Sequence, residues 1–326
     1  MHHGRPGGWT GHAAHGSLPR MDPFVIDCDY VAPQFAAAYL VREGHEAAFV
    51  EANTARALPR LLGALAQAGL EPEQVRWLFI THVHLDHAGG AWALMDACPN
   101  ATLLCHPRAA PHMVDPSKLV AGARRVYGDA AFERLYGDIR PVDPARVRPV
   151  SDGETLPWGR RAWTFLHTRG HANHHACFFD DALDGTFTGD TFGVRYPRLQ
   201  RAGLFVLPST SPTDFDAAAA VASVDRLEKV GRRAFLTHFG VLDDLPAAAA
   251  QLREQLEFAG RLVDEASARD DDPEPFCREA LDGFMEGLLQ RRGLALDLEE
   301  RALLALDLRL NAQGVAHAAR RRREGR

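Results

Sequence analysis

The feature that most constrains this chain is the run Thr81-His82-Val83-His84-Leu85-Asp86-His87-Ala88-Gly89-Gly90, in which three histidines and one aspartate fall within six consecutive positions. The apolar run Val75–Ile80 just before it reads as a buried strand. Residues 91–97 just after it read as a helix. The ligand-type side chains therefore sit on the turn between a strand and a helix, where positions i, i+2, i+4 and i+5 can converge on one volume. The paired glycines let the backbone turn tightly beside them. Imidazole and carboxylate are the groups that bind zinc and similar divalent ions. No thiolate stands in the run, which argues against an iron–sulfur or structural thiolate site. The alternative is a set of surface histidines in a polar loop. Packed this closely, however, four such groups would cost stability through mutual charge and desolvation unless a metal bound them.

The rest of the chain supplies a globular frame for that site. It has 326 residues, 46% hydrophobic and 25% charged, enough for one large domain or two modest ones. The net charge of −6 gives no nucleic-acid footprint. No apolar run reaches the roughly 18 residues a membrane span needs. Residues 1–20, with His2, His3, His12 and His15, read as a disordered leader without a secretory signal, and Met21 as an alternative start. The five cysteines (Cys28, Cys98, Cys105, Cys177, Cys277) are odd in number and form no C-x-x-C pair. They read as buried free thiols in a reducing cytoplasm.

Strands are expected at residues 24–28, 36–41 and 47–50, with a hairpin turn at Arg42-Glu43-Gly44-His45. Leu58, Leu61, Leu62, Leu65 and Ala66 recur with helical period, and Gly69 is a fitting stop. A further strand covers residues 101–106. Residues 107–149 read as an insertion with helical patches at 119–126 and 130–135, of the kind that forms a lid or a dimer element. Its Arg124, Arg125, Tyr127 and Tyr136 are candidates to face a substrate, or ordinary surface groups.

Beyond Gly153 a local grammar repeats. Residues 161–167 lead to Gly170-His171, residues 186–188 to Gly189-Asp190, and residues 233–236 to Thr237-His238. With the first run this makes four occurrences of apolar strand, small or polar residue, then metal-type ligand. Strand ends are rigid mounts, and one rim of a sheet sandwich can bring all four together.

In this order and spacing, His82-x-His84-x-Asp86-His87, Gly170-His171, Gly189-Asp190 and Thr237-His238 resemble the ligand set of the metallo-β-lactamase superfamily over residues 24–240. The resemblance implies an α/β fold, an αββα sandwich with two metals at the edge between its sheets. His82, His84 and His171 would take the first metal and Asp86, His87 and His238 the second, with Asp190 bridging. The metals are expected to be zinc, with iron or manganese as alternatives. A hydroxide shared by two cations about 3.5–4 Å apart would attack an ester, thioester or lactone carbonyl, with Asp86 orienting it or accepting its proton.

Asp190 holds the bridging position of the hydrolases resembling glyoxalase II, and the Cys ligand of many β-lactamases is missing. β-Lactam turnover is therefore not expected as the main role. The lactonases of the superfamily carry a tyrosine a few residues after the bridging aspartate. Gly193 stands there in this chain, with Tyr196 just beyond. Glu51-Ala52-Asn53-Thr54 stands where many relatives carry Asp-Thr-Gly, a support for the ligands, so the buttressing must differ. His174 and His175 follow a ligand closely, and one of them is expected to steady it.

Residues 192–215 follow directly from a ligand and are expected to border the pocket. Phe192, Arg195, Tyr196 and Phe205 are the substrate-binding candidates, the aromatics for an acyl or aromatic group and the arginine for an anion. The organisation expected is a leader (1–20), a catalytic domain (21–245) and a C-terminal helical extension (246–326). Apolar faces of that extension must be buried on the sandwich or in a homodimer. A small-molecule substrate is expected, with no nucleic-acid or membrane partner and a cytoplasmic location. The competing functions are a phosphodiesterase of the same fold, a non-haem di-iron redox protein and a metal-binding regulator with little turnover.

Overall fold

The computed structural model describes residues 22–325 apart from 211 and 213. The leader expected over residues 1–20 lies outside the described residues. In the first half, strands β1 (Phe24–Asp27), β2 (Ala37–Glu43) and β3 (Glu46–Val50) precede helix α1 (Leu58–Gln67) and strand β4 (Val75–Ile80). A single helical turn α2 (Leu85–Ala88) and helix α3 (Ala91–Ala97) lead to β5 (Thr102–Cys105). Helices α4 (Ala110–Val114), α5 (Ser117–Tyr127) and α6 (Asp129–Leu135) then precede β6 (Val147–Pro149). In the second half, β7 (Thr155–Trp158), β8 (Arg161–His167), β9 (Ala176–Asp180) and β10 (Gly185–Val194) run to helix α7 (Ala217–Leu227). After β11 (Arg233–His238) and β12 (Gly240–Leu242), the chain ends in three helices, α8 (Leu245–Ser267), α9 (Pro273–Arg291) and α10 (Leu298–Glu324).

The strands form two six-stranded sheets, ordered β1-β2-β3-β4-β5-β6 and β12-β11-β10-β9-β8-β7. Strand β4 shows why the layers stack. Apart from the exposed Arg76 its residues are buried on both faces, so residues 77–80 read as a continuous apolar run rather than an alternation. Trp77 and Phe79 point between the sheets with Trp163, Phe165, Phe178, Phe187 and Phe235 of the second sheet. Phe79 stacks on Trp163 with ring centroids 4.4 Å apart. Leu78 and Ile80 point the other way, into a core shared with Leu61 and Leu65 of α1 and Leu94 of α3. On the far side, Leu166, Cys177 and Leu236 of the second sheet meet Val224 of α7, Leu252 and Leu256 of α8, and Val315 and Ala319 of α10. The result is the αββα metallo-β-lactamase sandwich that the ligand pattern implies.

The expected strands and helices are present. Strand β7, the three-residue strands β6 and β12, and helices α4 and α7 are additions to the sequence reading. Strands that short are fixed by pairing with β5 and β11 rather than by their own pattern. Strand β6 also ends the helical insertion earlier than residue 149, because residues 147–149 complete the first sheet. In the C-terminal stretch, Leu252, Leu256, Ala259, Val263 and Ala266 form the buried face expected of α8. The leucines at 303–308 in α10 join a separate cluster with Phe35, Tyr196 and Met285. The five cysteines are free and buried. Among the described residues no helix is long and apolar enough to cross a membrane.

Candidate metal centre

Four segments deliver the ligand-type residues to one edge of the sandwich. Strand β4 ends at Ile80, and the next residues turn outward through His82 and His84 into α2, which carries Asp86 and His87. His171 follows β8, and His238 is the last residue of β11. Asp190 departs from the expected strand-end position, because it lies within the ten-residue β10. Its mount is a local irregularity. The pairing of β10 with β11 shifts register on either side of Gly189, and such bulges re-aim side chains. Gly189 sits at φ +49°. A Cβ there would stand 2.6 Å from both His175 Nε2 and Thr81 Oγ1. Only glycine lets β10 pass this close to the ligands.

All seven residues meet. His82 Nε2 lies 2.9 Å from His84 Nδ1 and 3.2 Å from His171 Nε2, and His171 Nε2 lies 3.0 Å from His84 Nδ1. Ligand nitrogens around a tetrahedral zinc, at bond lengths near 2.05 Å, are separated by about 3.3 Å. The observed triangle has that size. A second group gathers His87 Nε2 and His238 Nε2 around Asp86 Oδ2, at 3.7 and 3.5 Å. Asp190 stands between the groups, with Oδ2 3.4 Å from His171 Nε2 and Oδ1 3.1 Å from His87 Nε2. His87 Nε2 and Asp190 Oδ1 are buried without a hydrogen-bond partner among the described residues. Two buried polar atoms this close, without hydrogen-bond geometry, fit donors that share a cation.

The imidazoles are held from behind. His87 Nδ1 is 3.0 Å from Glu51 Oε1, and His171 Nδ1 is 2.9 Å from the Ser209 carbonyl. His238 Nδ1 is 2.9 Å from the Phe35 carbonyl. Thr81 donates its hydroxyl to Glu51 at 2.5 Å, so that oxygen accepts from His82 Nδ1 at 3.1 Å. These contacts set the tautomer that leaves each Nε2 free to ligate. Glu51, in the stretch where the sequence departs from the expected support, takes on the buttressing itself. It is 1% exposed at φ +68° and accepts from Thr81, His87 and Thr237. A glutamate thus supplies the buttressing where relatives place an aspartate. Its position before Ala52-Asn53-Thr54 was the available signal. Of the two following histidines, His175 steadies the site, its Nε2 accepting from the Asp190 amide at 3.3 Å.

The electrostatics match the chemistry. Burial, reinforced by neighbouring imidazoles, holds His82 and His84 well below the usual histidine range, so they are neutral as metal ligands must be. Burial disfavours the Asp86 carboxylate, but His87 and His238 outweigh it and hold the group down to about 2. Burial pushes His87 down, yet Asp190, Asp86 and Glu51 together raise it well above 6.5. Three carboxylates thus converge on one imidazole, an excess of negative charge that suits a cation.

Of the substrate-binding candidates, Tyr196 alone approaches the centre through its side chain. Its ring stacks on Phe35 at 5.2 Å, and Phe35 meets His238 edge-on at 5.6 Å. Phe192 is buried in the core between the second sheet and its helices. Phe205 packs in the cluster under α9, with Arg292 over its ring. Arg195 lies towards Gly240, in the field of Asp243 and Tyr39. Phe192 and Phe205 shape the fold behind the centre, whereas Arg195 meets it through its backbone, its amide donating to the His238 carbonyl. In the insertion, Tyr127 and Tyr136 cluster with Tyr30, and Asp86 adds to the rise of all three hydroxyls. Arg124 instead pairs with Asp129 and Glu133 on the surface.

A two-sheet sandwich with a histidine- and aspartate-rich cluster at one edge defines a class of metal-dependent hydrolases. The sequence model of the metallo-beta-lactamase superfamily matches residues 31–237, and the chain belongs to that superfamily. It is 26% identical over 219 residues to an atrochrysone carboxyl ACP thioesterase of Aspergillus chevalieri. That match takes 67% of this chain and 55% of the relative, so the chain spans about half the relative's length. Among solved structures, a metallo-beta-lactamase family protein from Thermus thermophilus shares the fold at TM-score 0.65 and 20% identity. That similarity covers 94% of this chain and 95% of the other. An archaeal superfamily protein from Sulfolobus tokodaii does so at TM-score 0.63 and 19% identity, over 91% and 99% of the two chains.

Proposed function

We propose that this chain is a dinuclear metallohydrolase that cleaves acyl esters, thioesters or lactones, with thioesters as the first class. The observation that carries this reading is the pair of ligand groups, each with three side chains, flanking Asp190. His82, His84 and His171 would hold one divalent ion and Asp86, His87 and His238 the other, with Asp190 between them. Zinc is the metal we assign, although the same nitrogen and oxygen donors also accept iron or manganese. When bound, such ions supply Lewis acidity, which acidifies water and polarises an acyl oxygen.

The chain's own residues do the rest. Asp86 is the most open of the carboxylates, its side chain 23% exposed against 5% for Asp190. It is therefore placed to orient an incoming water and to take a proton from it. Glu51 and the carbonyls of Phe35 and Ser209 keep the imidazoles aimed while that proton moves. The aromatic wall of Tyr30, Tyr127 and Tyr136 suits the acyl portion of a substrate. Among the described residues no serine or cysteine side chain joins the ligand cluster, and the reading needs no covalent acyl-enzyme. The thioesterase relative favours a thioester among the acyl classes.

The test is a panel of acyl thioesters, esters, lactones and phosphodiesters, assayed on metal-loaded, chelated and reloaded protein. Thioester cleavage lost on chelation and restored by zinc supports the assignment. Cleavage that survives complete metal removal sinks it.

A further inference from the structure

The last helix, α10, has two polar residues one turn apart on the face it turns towards the metal centre. Asp307 accepts a hydrogen bond from the Tyr196 hydroxyl at 3.0 Å. Tyr196 is 2% exposed and stacks on Phe35, whose carbonyl accepts from His238 Nδ1. Four residues on, Asn311 accepts from the Thr210 amide at 2.8 Å and donates to the Pro208 carbonyl at 3.0 Å. The Thr210 hydroxyl donates back to the Asn311 carbonyl at 3.0 Å. Between those two clamped residues lies Ser209, whose carbonyl accepts from His171 Nδ1 at 2.9 Å.

Two relays therefore leave one helix and end on different halves of the centre. The first runs Asp307, Tyr196, Phe35, His238. The second runs Asn311, the 208–210 backbone, His171. Both polar anchors sit among mostly apolar neighbours, with Thr210 and Gln255 nearby. Asp307 shares its surroundings with Leu207, Phe284, Met285 and Leu308. A charged group there needs a reason, since leucine would pack at lower desolvation cost. Burial pushes its carboxyl up to about 7, opposed by His238 and reinforced by Asp190 and Asp86. Asp307 is thus within electrostatic reach of the ligands themselves.

We propose that α10 is a structural part of the metal centre, with Asp307 and Asn311 as positioning residues that aim His238 and His171 respectively. Neither touches substrate or metal. Each fixes the backbone carbonyl that sets an imidazole's orientation, and outer contacts of this kind typically govern metal affinity by about 10–100-fold. The C-terminal helices are then more than a cover for the second sheet, because without α10 the carbonyls of residues 35 and 209 lose their anchors. The inference rests on the dinuclear assignment above.

The test uses full-length protein carrying Asp307→Asn, Tyr196→Phe, Asn311→Ala or Thr210→Val, with Arg301→Ala on the exposed side of α10 as control. Zinc affinity is measured by competition with a chromogenic chelator, and the visible spectrum of cobalt(II)-loaded protein reports ligand geometry. Wild-type protein and the control should bind two ions alike. The 307 and 196 variants should each weaken one ion about tenfold or more and shift the cobalt bands. Combined, they should do no more than either alone, because they break one relay. The 311 and 210 variants should weaken the other ion. Thr210→Val keeps the shape of its side chain, so it stands in if Asn311→Ala fails to fold. Affinities within twofold of wild type and unshifted bands in folded variants would overturn the role of α10 alone. Failure of wild-type protein to take up two ions would instead overturn the dinuclear assignment.

Discussion

At the scale of single residues, Glu51 decides how well the centre holds together. Its carboxylate binds Thr81, Thr237 and His87 at once, in a backbone conformation uncommon for a side-chain-bearing residue. Glu51→Ala should lower zinc affinity by about 10–100-fold, read by chelator competition. Glu51→Gln can still accept from His87 and should lose less. Equal losses in the two variants would mean that charge, not hydrogen bonding, is what matters there. Gly189→Ala meets a harder obstacle, because its Cβ would stand 2.6 Å from His175 Nε2 and from Thr81 Oγ1. That variant should lose thermal stability and metal content together. A well-folded, fully loaded Gly189→Ala protein would show that β10 has room to move. The cysteines give a contrasting prediction. Burial pushes Cys28, Cys105 and Cys177 up to about 12, so at pH 8 they remain protonated thiols. An aromatic disulfide reagent should find essentially no reactive thiol in native protein at pH 8. It should find all five after denaturation.

At the scale of elements, the ligand-bearing corners were legible because strand and ligand lie next to each other in the sequence. The run from Val75 to Gly90 announces strand, turn and metal in sixteen residues. Asp190 was legible as a candidate ligand but not as a mid-strand residue, because a bulge leaves no mark in the hydrophobic pattern. Phe192 and Phe205 misled for a related reason. Proximity to a ligand in sequence says nothing about which face of a strand or loop an aromatic occupies, and both face cores. The role of α10 was invisible, since Asp307 and Asn311 lie more than sixty residues beyond the last ligand. The insertion makes its own prediction. Tyr127→Ala should raise KM for an acyl thioester severalfold with a smaller change in kcat, because its hydroxyl lies in the field of Asp86 without holding a ligand. A fall in kcat at unchanged KM would assign that tyrosine to the chemical step instead.

At the scale of the whole molecule, the sandwich edge is where both sheets and the outer helices can all contribute to one site. A cation pair held as proposed would couple the halves of the chain: His82, His84, Asp86 and His87 come from the first sheet's side, and His171, Asp190 and His238 from the second. Ligands bound only by the folded state stabilise it, by about 2.7 kcal/mol at one hundred times Kd. Zinc should therefore raise the melting temperature of chelated protein, and go on raising it with the logarithm of free zinc beyond saturation. The most direct measurement is the number of zinc ions per chain, by elemental analysis, in wild-type protein and in Asp190→Ala, alongside thioester hydrolysis. Two ions in the wild type, and at most one with little hydrolysis in the variant, are expected of a bridging carboxylate. A variant that keeps both ions and full activity would contradict it.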